Sequence, residues 1–448
     1  MRNEAIEGKN MNRILETTFL LFVIALIGYL TKYILNIFLA HYLIPSIFGE
    51  LQVAMKVLYV LVGLTLFGTN VGAQRFLAKY LHTNKKSTAA HYVAWNLKLI
   101  RTTFLISLVF AAIASGLMFL LHVMKVRDIN QYHLAIYMFW LAPFAAIVSL
   151  ISCFLFSSDE VYFPAMLNTL FRYATELLLF LVAAILFGFS IDNNTTIIGI
   201  LFFTYVFLSI LGLRFLDAGI FLAIKNALRL IKVVHVTEAE WYVVSKRMIA
   251  NNIIFLLTST IDLFIVEVFD KNKDHVGYYA VILTISGLIW LSPMNIYQKF
   301  KSQISSLVMN PGGMIELQSR LDKINGINLA ITGISAILII YFSTSLLSLF
   351  GTVYEAARVP LILLVVGGFL RGTLRIGALL LLYSGFEQLL LKISTVEIIL
   401  LCCLGPPATY FFDILGMAVV SAFIMILGGF LTLVLARKKL GVRCALVI

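Results

Sequence analysis

Apolar runs, each long enough to cross a bilayer, recur along the whole of this 448-residue chain. A membrane-spanning helix needs about 20 apolar residues, and in lipid only helices and closed barrels satisfy every backbone polar group. The runs therefore predict an all-α polytopic membrane protein with twelve transmembrane helices. We place them at roughly 14–40, 50–73, 98–121, 134–157, 164–188, 195–216, 248–268, 276–298, 324–349, 359–383, 389–411 and 413–436.

The distribution of charge supports this class and gives a topology. Only 12% of the residues are charged, whereas a soluble domain carries about 25%. With the N-terminus inside, the cytoplasmic segments hold 23 Lys and Arg and the opposite side holds five. This positive-inside pattern predicts a multi-pass membrane protein with an even number of spans and both termini cytoplasmic. It also explains the net charge of +12 without nucleic acid as a partner. The polar first dozen residues lack the plan of a signal peptide, so we expect the first span to be retained.

The connection at 217–247 divides the chain into two predicted six-helix lobes, 1–216 and 248–448. Within it, residues 220–234 form a basic amphipathic pattern, predicted to lie on the cytoplasmic leaflet as an inter-lobe linker or a lipid sensor. Gly49 opens the second span and Gly277 opens the eighth, at corresponding positions of the two halves. That echo favours two lobes related by a pseudo-two-fold axis along the membrane normal.

Six basic residues lie inside or at the edges of apolar runs. Apart from Arg101, near the start of the third run, five lie deeper, and a charge near the bilayer centre costs roughly 3 kcal/mol on insertion scales. Arg371 and Arg375 are one helical turn apart and repel each other. We interpret the set as a cationic lining that meets an anionic cargo, and the arginines favour phosphate because a guanidinium fork matches its oxygens. Its members are Lys32, Lys56, Arg172, Arg371 and Arg375.

Internal pairing is the alternative for these cations. Arg371 and Arg375 could pair with Glu387 and Glu397 of the next span. Arg172 could pair with Glu176 on its own helix. Each lysine could instead extend its ammonium group towards an interface.

Amides and acids complete the predicted site. We expect five amide side chains on helix faces to line a water-filled cavity, with helix–helix contacts as the alternative: Gln52, Asn70, Asn168, Asn252 and Asn295. Asp262 and Glu176 are candidates for binding a coupling ion, H⁺ or Na⁺, or for pairing with a nearby cation.

Motif searches exclude several classes of protein. The chain has no G-x-x-x-x-G-K-[ST] phosphate loop and no H-E-x-x-H, and its four cysteines lack metal-ligand spacing. We therefore predict no cofactor, no metal and no catalytic residues. An enzyme of glycan polymerisation or ligation would need a long non-cytoplasmic loop, which the hydropathy does not indicate.

Four short stretches carry a family resemblance across nearly the whole chain. They are Phe48-Gly49, the run 72–80 (GAQRFLAKY), Asp262 followed by 276–280 (VGYYA), and the run 350–357 (FGTVYEAA). In their order and spacing the chain resembles the oligosaccharide flippases (Wzx type) of the multidrug/oligosaccharidyl-lipid/polysaccharide exporter superfamily. The sequence departs from the pattern at Leu51, where an aromatic residue is usual.

The resemblance implies two helical lobes in a V around a central cavity. It implies that a polyprenyl-diphosphate-linked oligosaccharide, an O-antigen or other polysaccharide repeat unit, crosses the bacterial cytoplasmic membrane by alternating access. The basic residues would then hold the diphosphate, and the amides would hydrogen-bond the sugars. Lys32 and Lys56 match, by helix and residue type, the cavity cations of related lipid II flippases. A downstream polysaccharide polymerase would be a partner. A drug/cation antiporter on the same fold is the alternative function, although it predicts a cavity dominated by acids.

Overall fold

The computed structural model describes residues 2–83, 85–123, 133–157, 161–187, 194–230, 239–296 and 313–441. Every regular element in these ranges is a helix. Nine helical segments among them are long and apolar enough to cross a membrane. The predicted all-α polytopic class is therefore confirmed.

The first half of the chain is built from long helices with one irregular turn. A π-helical turn at Leu167–Phe171 separates α6 from α7. The α-helices are α1 Arg2–Tyr42, α2 Pro45–Leu66, α3 Thr69–His82, α4 Lys86–Val123, α5 His133–Phe156, α6 Tyr162–Met166, α7 Arg172–Phe187, α8 Asn194–Arg214 and α9 Ala218–Leu230.

The second half contains shorter helices before its long C-terminal ones. Two 3₁₀ turns, Gly287–Trp290 and Thr352–Ala357, connect some of them. The α-helices are α10 Ala239–Thr258, α11 Ile261–Phe269, α12 Asp274–Ser286, α13 Leu291–Ile296, α14 Gly313–Tyr341, α15 Ser343–Ser348, α16 Arg358–Tyr383 and α17 Glu387–Leu440.

The nine segments account for ten of the twelve predicted spans, because α17 contains both the eleventh and the twelfth. Asp413 within α17 has φ 53° and ψ −145°, and a methyl group on Gly416 would overlap the carbonyl of Ala408. The chain therefore reverses there and α17 is a tight helical hairpin. The seventh and eighth predicted spans are interrupted helices, α10–α11 and α12–3₁₀–α13.

The second predicted span ends earlier than its hydropathy suggested. We predicted 50–73, but α2 stops at Leu66. Phe67 and Gly68 follow with φ 48° and 73°. Two successive left-handed residues cannot continue a right-handed helix, so the polar stripe of this span is divided between α2 and α3.

Packing divides the chain into two compact units. The first contains residues 1–35 and 50–256, and the second contains 36–49 and 257–448. The predicted lobes follow chain order, whereas these units follow contacts, so the end of α1 and the start of α2 belong to the second unit. We call them the first unit and the second unit.

An aromatic cluster forms the core of the first unit. Trp241 packs against Tyr80, Tyr92 and Trp95, with ring centroids 5.1–6.3 Å apart. Its indole N–H donates to the Tyr80 hydroxyl at 3.1 Å. The start of α10 is therefore attached to the end of α3, within the motif at 72–80.

In the second unit, the start of α2 packs closely on α12. A methyl group on Gly49 would lie 2.6 Å from the backbone nitrogen of Gly277, and one on Gly277 would overlap the carbonyl of Pro45. Both glycines of the predicted echo are therefore needed for one backbone-to-backbone contact.

Many large apolar side chains point outwards on both units. Ile185 is 78% exposed, Phe411 72% and Phe119 71%. Contact of this apolar surface with water is unfavourable, whereas contact with lipid acyl chains is favourable. Such a surface is expected of helices that cross a membrane.

Candidate functional site

Arg172, the first residue of α7, is a buried cation in the first unit. It is only 8% exposed, and it directly follows the π-helical turn Leu167–Phe171. Single π turns inside helices are uncommon and are often found at functional sites. The extra residue in the turn shifts the phase of α7 relative to α6 and so sets the direction of the Arg172 side chain.

Three tyrosine rings surround the Arg172 guanidinium. Its Cζ lies 5.2 Å from the ring centroid of Tyr59, 5.3 Å from that of Tyr173 and 5.3 Å from that of Tyr205. Aromatic faces attract cations, by about 2 kcal/mol or more in a desolvated setting. The rings come from α2, α7 and α8, so three helices of the first unit hold the charge in place. We call Arg172 and these rings the tyrosine cage.

Glu176 compensates part of the charge inside the cage. Its Oε1 accepts from Arg172 Nε at 3.0 Å, one helical turn along α7. This is the internal pair that the sequence left open. Arg172 Nη2 is also buried, and it has no hydrogen-bond partner in the described part of the chain. A buried donor without an acceptor is costly, so Nη2 is a position where an incoming oxygen would be favoured.

Lys32 on α1 brings a second cation to the same cage. Its Nζ lies 5.9 Å from the ring centroid of Tyr173, and no described carboxylate pairs with it. Gly28, one turn earlier on the same face, allows the approach of α1, because a methyl group there would lie 2.8 Å from Thr169 Cβ. Arg172 and Lys32 are two cations beside these rings and Glu176 is one carboxylate, which leaves one excess positive charge among these three groups.

The polar stripe of α2 shares the face that meets the cage. Tyr59 contacts Arg172, and Lys56 and Gln52 lie three and seven residues before it. At these spacings the three side chains lie on the same side of the helix. Lys56 and Gln52 are half-buried, and both make further polar interactions.

Of the other four predicted amides, only the Asn168 side chain lies in the described part of the structure. Asn168 is exposed and belongs to the π-helical turn, four residues before Arg172. The side chains of Asn70, Asn252 and Asn295 lie outside the described part of the structure. Their predicted contact with sugars stays a prediction.

Arg371, on α16 of the second unit, has a different environment. Its Nη1 and Nη2 meet Oε1 and Oε2 of Glu397, both at 3.1 Å. The Glu397 side chain is only 3% exposed, and Gly428 leaves room for it, since a methyl group there would overlap the carboxylate. This two-point pair is the network left open by the sequence, so anion contact by Arg371 would compete with Glu397. Glu387 lies at the exposed start of α17.

Arg375 lies one turn further along α16 and against an aromatic side chain. Its guanidinium Cζ is 5.9 Å from the ring centroid of Trp290, in the 3₁₀ turn between α12 and α13. Arg375 is half-buried and has further polar interactions.

Asp262, the predicted coupling residue, is buried in the second unit near the break between α10 and α11. Its Oδ2 accepts from the Tyr279 hydroxyl at 3.4 Å, and that hydroxyl lies 3.2 Å from Ser421 Oγ. The backbone N–H of Leu263 contacts Oδ1 at 2.9 Å. Three helices of the second unit, α11, α12 and α17, therefore meet at one buried carboxylate.

A separate group of three residues, of types that commonly bind metal ions, lies near the end of α11. Asp270, His275 and Asp413 place one donor atom each within 4.8 Å of one another. Burial raises the pKa of Asp270 above its ordinary value; hydrogen bonds from Asn272 and His275 act in the opposite direction, and the charge of Asp413 raises the pKa further.

No protein-family model and no curated protein matches this chain, but solved structures match almost its full length. A mutant of the Vibrio cholerae MATE transporter VcmN is 13% identical, with 96% of this chain and 98% of its own covered and a TM-score of 0.61. An inward-facing multidrug resistance MATE family transporter of the MOP superfamily is 12% identical over 95% and 98%, with a TM-score of 0.67. Lipid II flippase MurJ, in an inward closed conformation, is 14% identical over 94% and 87%, with a TM-score of 0.66.

The chain shares the exporter fold of these proteins. This confirms the fold predicted from the superfamily resemblance, while the oligosaccharide branch stays a prediction. At 12–14% identity the likeness carries no residue roles.

Sequence reasoning found the charged members of the two arginine sites and missed most of their surroundings. It did not identify Tyr173 and Tyr205 as partners of Arg172. The sequence offered only a weak signal for these two partners: Tyr173 is next to the arginine, and Tyr205 carries a hydroxyl group in a mainly apolar span. It also missed Asp270, His275 and Asp413 as a group, because Asp413 comes from a distant part of the chain.

Proposed function

We propose that this chain is a flippase of the bacterial cytoplasmic membrane for a polyprenyl-diphosphate-linked oligosaccharide, such as an O-antigen or other polysaccharide repeat unit. Transport would follow an alternating-access cycle, in keeping with the exporter fold. The observation that carries the proposal is the excess positive charge at the tyrosine cage, where Arg172 Nη2 is buried without an acceptor in the described part of the chain.

A phosphate group fits the needs of this site. Its oxygens can accept from the open Arg172 nitrogen, and its charge can be balanced by Lys32 and Lys56. Arginine donors arranged in a planar fork match phosphate oxygens better than a lysine ammonium does. A neutral or cationic cargo would leave the excess charge uncompensated in a membrane interior.

The remaining parts of the cargo have proposed contacts as well. The tyrosine rings and the amides of Gln52 and Asn168 offer the flat faces and hydrogen bonds that suit sugars. Asn70, Asn252 and Asn295 are proposed to extend this set. The polyprenyl tail would remain in lipid, against the exposed apolar side chains.

The second unit is assigned a supporting role. Arg375 is proposed to contact the diphosphate, and Arg371 to do so only when its pair with Glu397 opens. Asp262, at a break in a membrane helix, is proposed to bind the coupling ion, H⁺ or Na⁺, since interrupted helices commonly hold ions in transporters. Glu176 is the corresponding candidate in the first unit. A polysaccharide polymerase acting on the outer side is the proposed downstream partner.

A reconstituted flipping assay tests the proposal. Purified protein in liposomes is given fluorescent polyprenyl-diphosphate, polyprenyl-monophosphate or uncharged polyprenyl-linked sugar, and arrival in the opposite leaflet is followed by quenching. We expect transport in the order diphosphate, monophosphate, uncharged. Lys32→Met should reduce diphosphate transport about 10-fold or more, the loss of one charge-assisted contact.

Lys225→Met provides the matched control, because Lys225 is an exposed lysine on α9, away from the cage. It should transport like the wild type. Equal transport of charged and uncharged cargo, or equal losses in the two lysine variants, would show that the cage does not select phosphate.

A drug/cation antiporter is the alternative function. It is favoured by the buried carboxylates Glu176, Asp262 and Glu397 and by the MATE transporters among the structural matches. Uptake of a cationic dye against a proton or sodium gradient, with no transport of lipid-linked sugar, would support it. A membrane enzyme of glycan assembly would instead yield new covalent products from the same lipid-linked sugar.

A further inference from the structure

Asp270, His275 and Asp413 form a compact group in the second unit, separate from Asp262. Asp270 ends α11, His275 lies in the first turn of α12, and Asp413 is the reversal point of α17. By the positive-inside topology, the connection at 269–275 and the reversal of α17 both face the non-cytoplasmic side. The group therefore joins two outer connections of the second unit.

The distances suit a metal ion. His275 Nδ1 lies 2.9 Å from Asp270 Oδ1 and 3.0 Å from Asp270 Oδ2, and one donor atom from each of the three residues lies within 4.8 Å of the others. Two ligand atoms bonded to one zinc ion at about 2.0–2.1 Å in a tetrahedral arrangement are about 3.3 Å apart. Only small side-chain movements separate the observed arrangement from coordination.

The surroundings hold Asp270 in position and leave Asp413 accessible. The Asn272 backbone N–H donates to Asp270 Oδ1 at 2.9 Å, an outer contact of the kind that orients metal-binding carboxylates. The Asp270 side chain is 1% exposed and that of His275 20%, whereas Asp413 is exposed. An ion can thus enter from the Asp413 side.

The local charges also favour a cation. Two carboxylates face one imidazole, and the ammonium of the adjacent Lys271 lies over the Tyr410 ring, 4.2 Å from its centroid. One imidazole with two carboxylates is a ligand set for divalent transition metals, whereas Ca²⁺ and Mg²⁺ prefer oxygen ligands alone.

We propose that Asp270, His275 and Asp413 bind a divalent transition-metal ion of the zinc class at the outer side of the second unit. The ion links the α11–α12 connection to the reversal of α17, and water completes its coordination. The site is independent of the proposed cargo, and its test needs no transport measurement.

The test is Zn²⁺ binding to the full-length protein in lipid nanodiscs, purified with an affinity tag that contains no histidine. Melting temperature and calorimetry follow Zn²⁺, and the visible absorption of bound Co²⁺ reports its ligands. We expect saturable Zn²⁺ binding that raises the melting temperature, and an affinity loss of about 10-fold or more in His275→Gln and Asp413→Asn. Asp274→Asn, a control that removes a nearby carboxylate outside the group, should bind zinc as the wild type does.

Several outcomes would overturn the site. They are no saturable Zn²⁺ binding by the wild type, unchanged binding in Asp413→Asn, an equal loss in Asp274→Asn, or Ca²⁺ binding as tight as Zn²⁺. Because Asp413 is exposed, Asp413→Asn gives a valid result even if His275→Gln fails to fold. The melting temperature of each variant without zinc verifies its folding.

Discussion

The two units each contain an arginine paired with a buried glutamate, but the pairs use different nitrogens of the guanidinium. In the first unit, Arg172 gives only Nε to Glu176 and leaves Nη2 without an acceptor among the described residues, inside three tyrosine rings. In the second unit, Arg371 gives both terminal nitrogens to Glu397. Both are arginines in apolar helices, yet of these two only Arg172 has a buried nitrogen that no described acceptor meets.

This difference teaches that the sign of a charge in a membrane helix does not by itself indicate a binding site. In a buried ion pair each charge compensates the other, which lowers the free-energy cost of burying them but does not by itself add a function. An incompletely satisfied cation keeps part of that cost, which an anionic cargo can relieve. Arg172 and Lys32 are therefore better candidates for cargo contact than Arg371.

The largest expected effect is the loss of the Arg371 pair. Arg371→Met should lower the free energy of unfolding by about 3–5 kcal/mol, because it leaves the buried Glu397 carboxylate unpaired. Unfolding in mixed micelles with increasing SDS measures this. The double variant Arg371→Met with Glu397→Met should recover most of the loss. A single variant as stable as the wild type would mean that the pair does not form.

Transport by conservative variants tests the comparison directly. Arg172→Lys keeps a charge beside Glu176 but removes the open Nη2 donor, so we expect cargo flipping to fall about 10- to 100-fold, equivalent to about 1.5–3 kcal/mol. Arg371→Lys should reduce flipping much less, since both terminal nitrogens of Arg371 already donate to Glu397. Liposome flipping rates, corrected for reconstituted protein, give the ratio. A larger loss in Arg371→Lys would reverse the assignment of the two sites.

Gly428 offers a steric test of the second-unit pair. Gly428→Ala places a methyl group where the Glu397 carboxylate lies, so we expect a loss of about 1–3 kcal/mol in stability from overpacking. Gly199→Ala is the control, because nothing lies within 4 Å of the added methyl group. Thermal unfolding of the two variants side by side measures the difference. Equal melting temperatures would argue against close packing at Gly428.

The smallest expected effect comes from one wall of the tyrosine cage. Tyr205→Leu keeps an apolar side chain on α8 but removes one aromatic face from Arg172, which should cost about 0.5–2 kcal/mol of stability. Flipping should fall less than in Arg172→Lys, since Nη2 remains. The same SDS unfolding and flipping assays apply. An unchanged stability would mean that the ring only fills space.

The predicted and observed architectures agree where hydropathy decides and differ where single residues do. Ten of the twelve predicted spans lie on described helices long and apolar enough to cross a membrane, because burial of a backbone in lipid leaves few alternatives to a helix. The end of α2 was wrong by several residues because Phe67 and Gly68 adopt left-handed conformations inside an apolar run. Hydropathy does not detect such a break.

The sequence by itself determined that this chain is a polytopic helical membrane protein with basic residues inside its spans. Composition and the spacing of charges follow directly from the residue order, and the solvent they require is lipid. Only the tertiary structure decided which basic residue remains available. Pairing depends on how helices pack, as between Arg371 and Glu397 on the consecutive helices α16 and α17. It also depends on close approaches such as Gly28 to Thr169, and on the rings that α2 and α8 bring to Arg172.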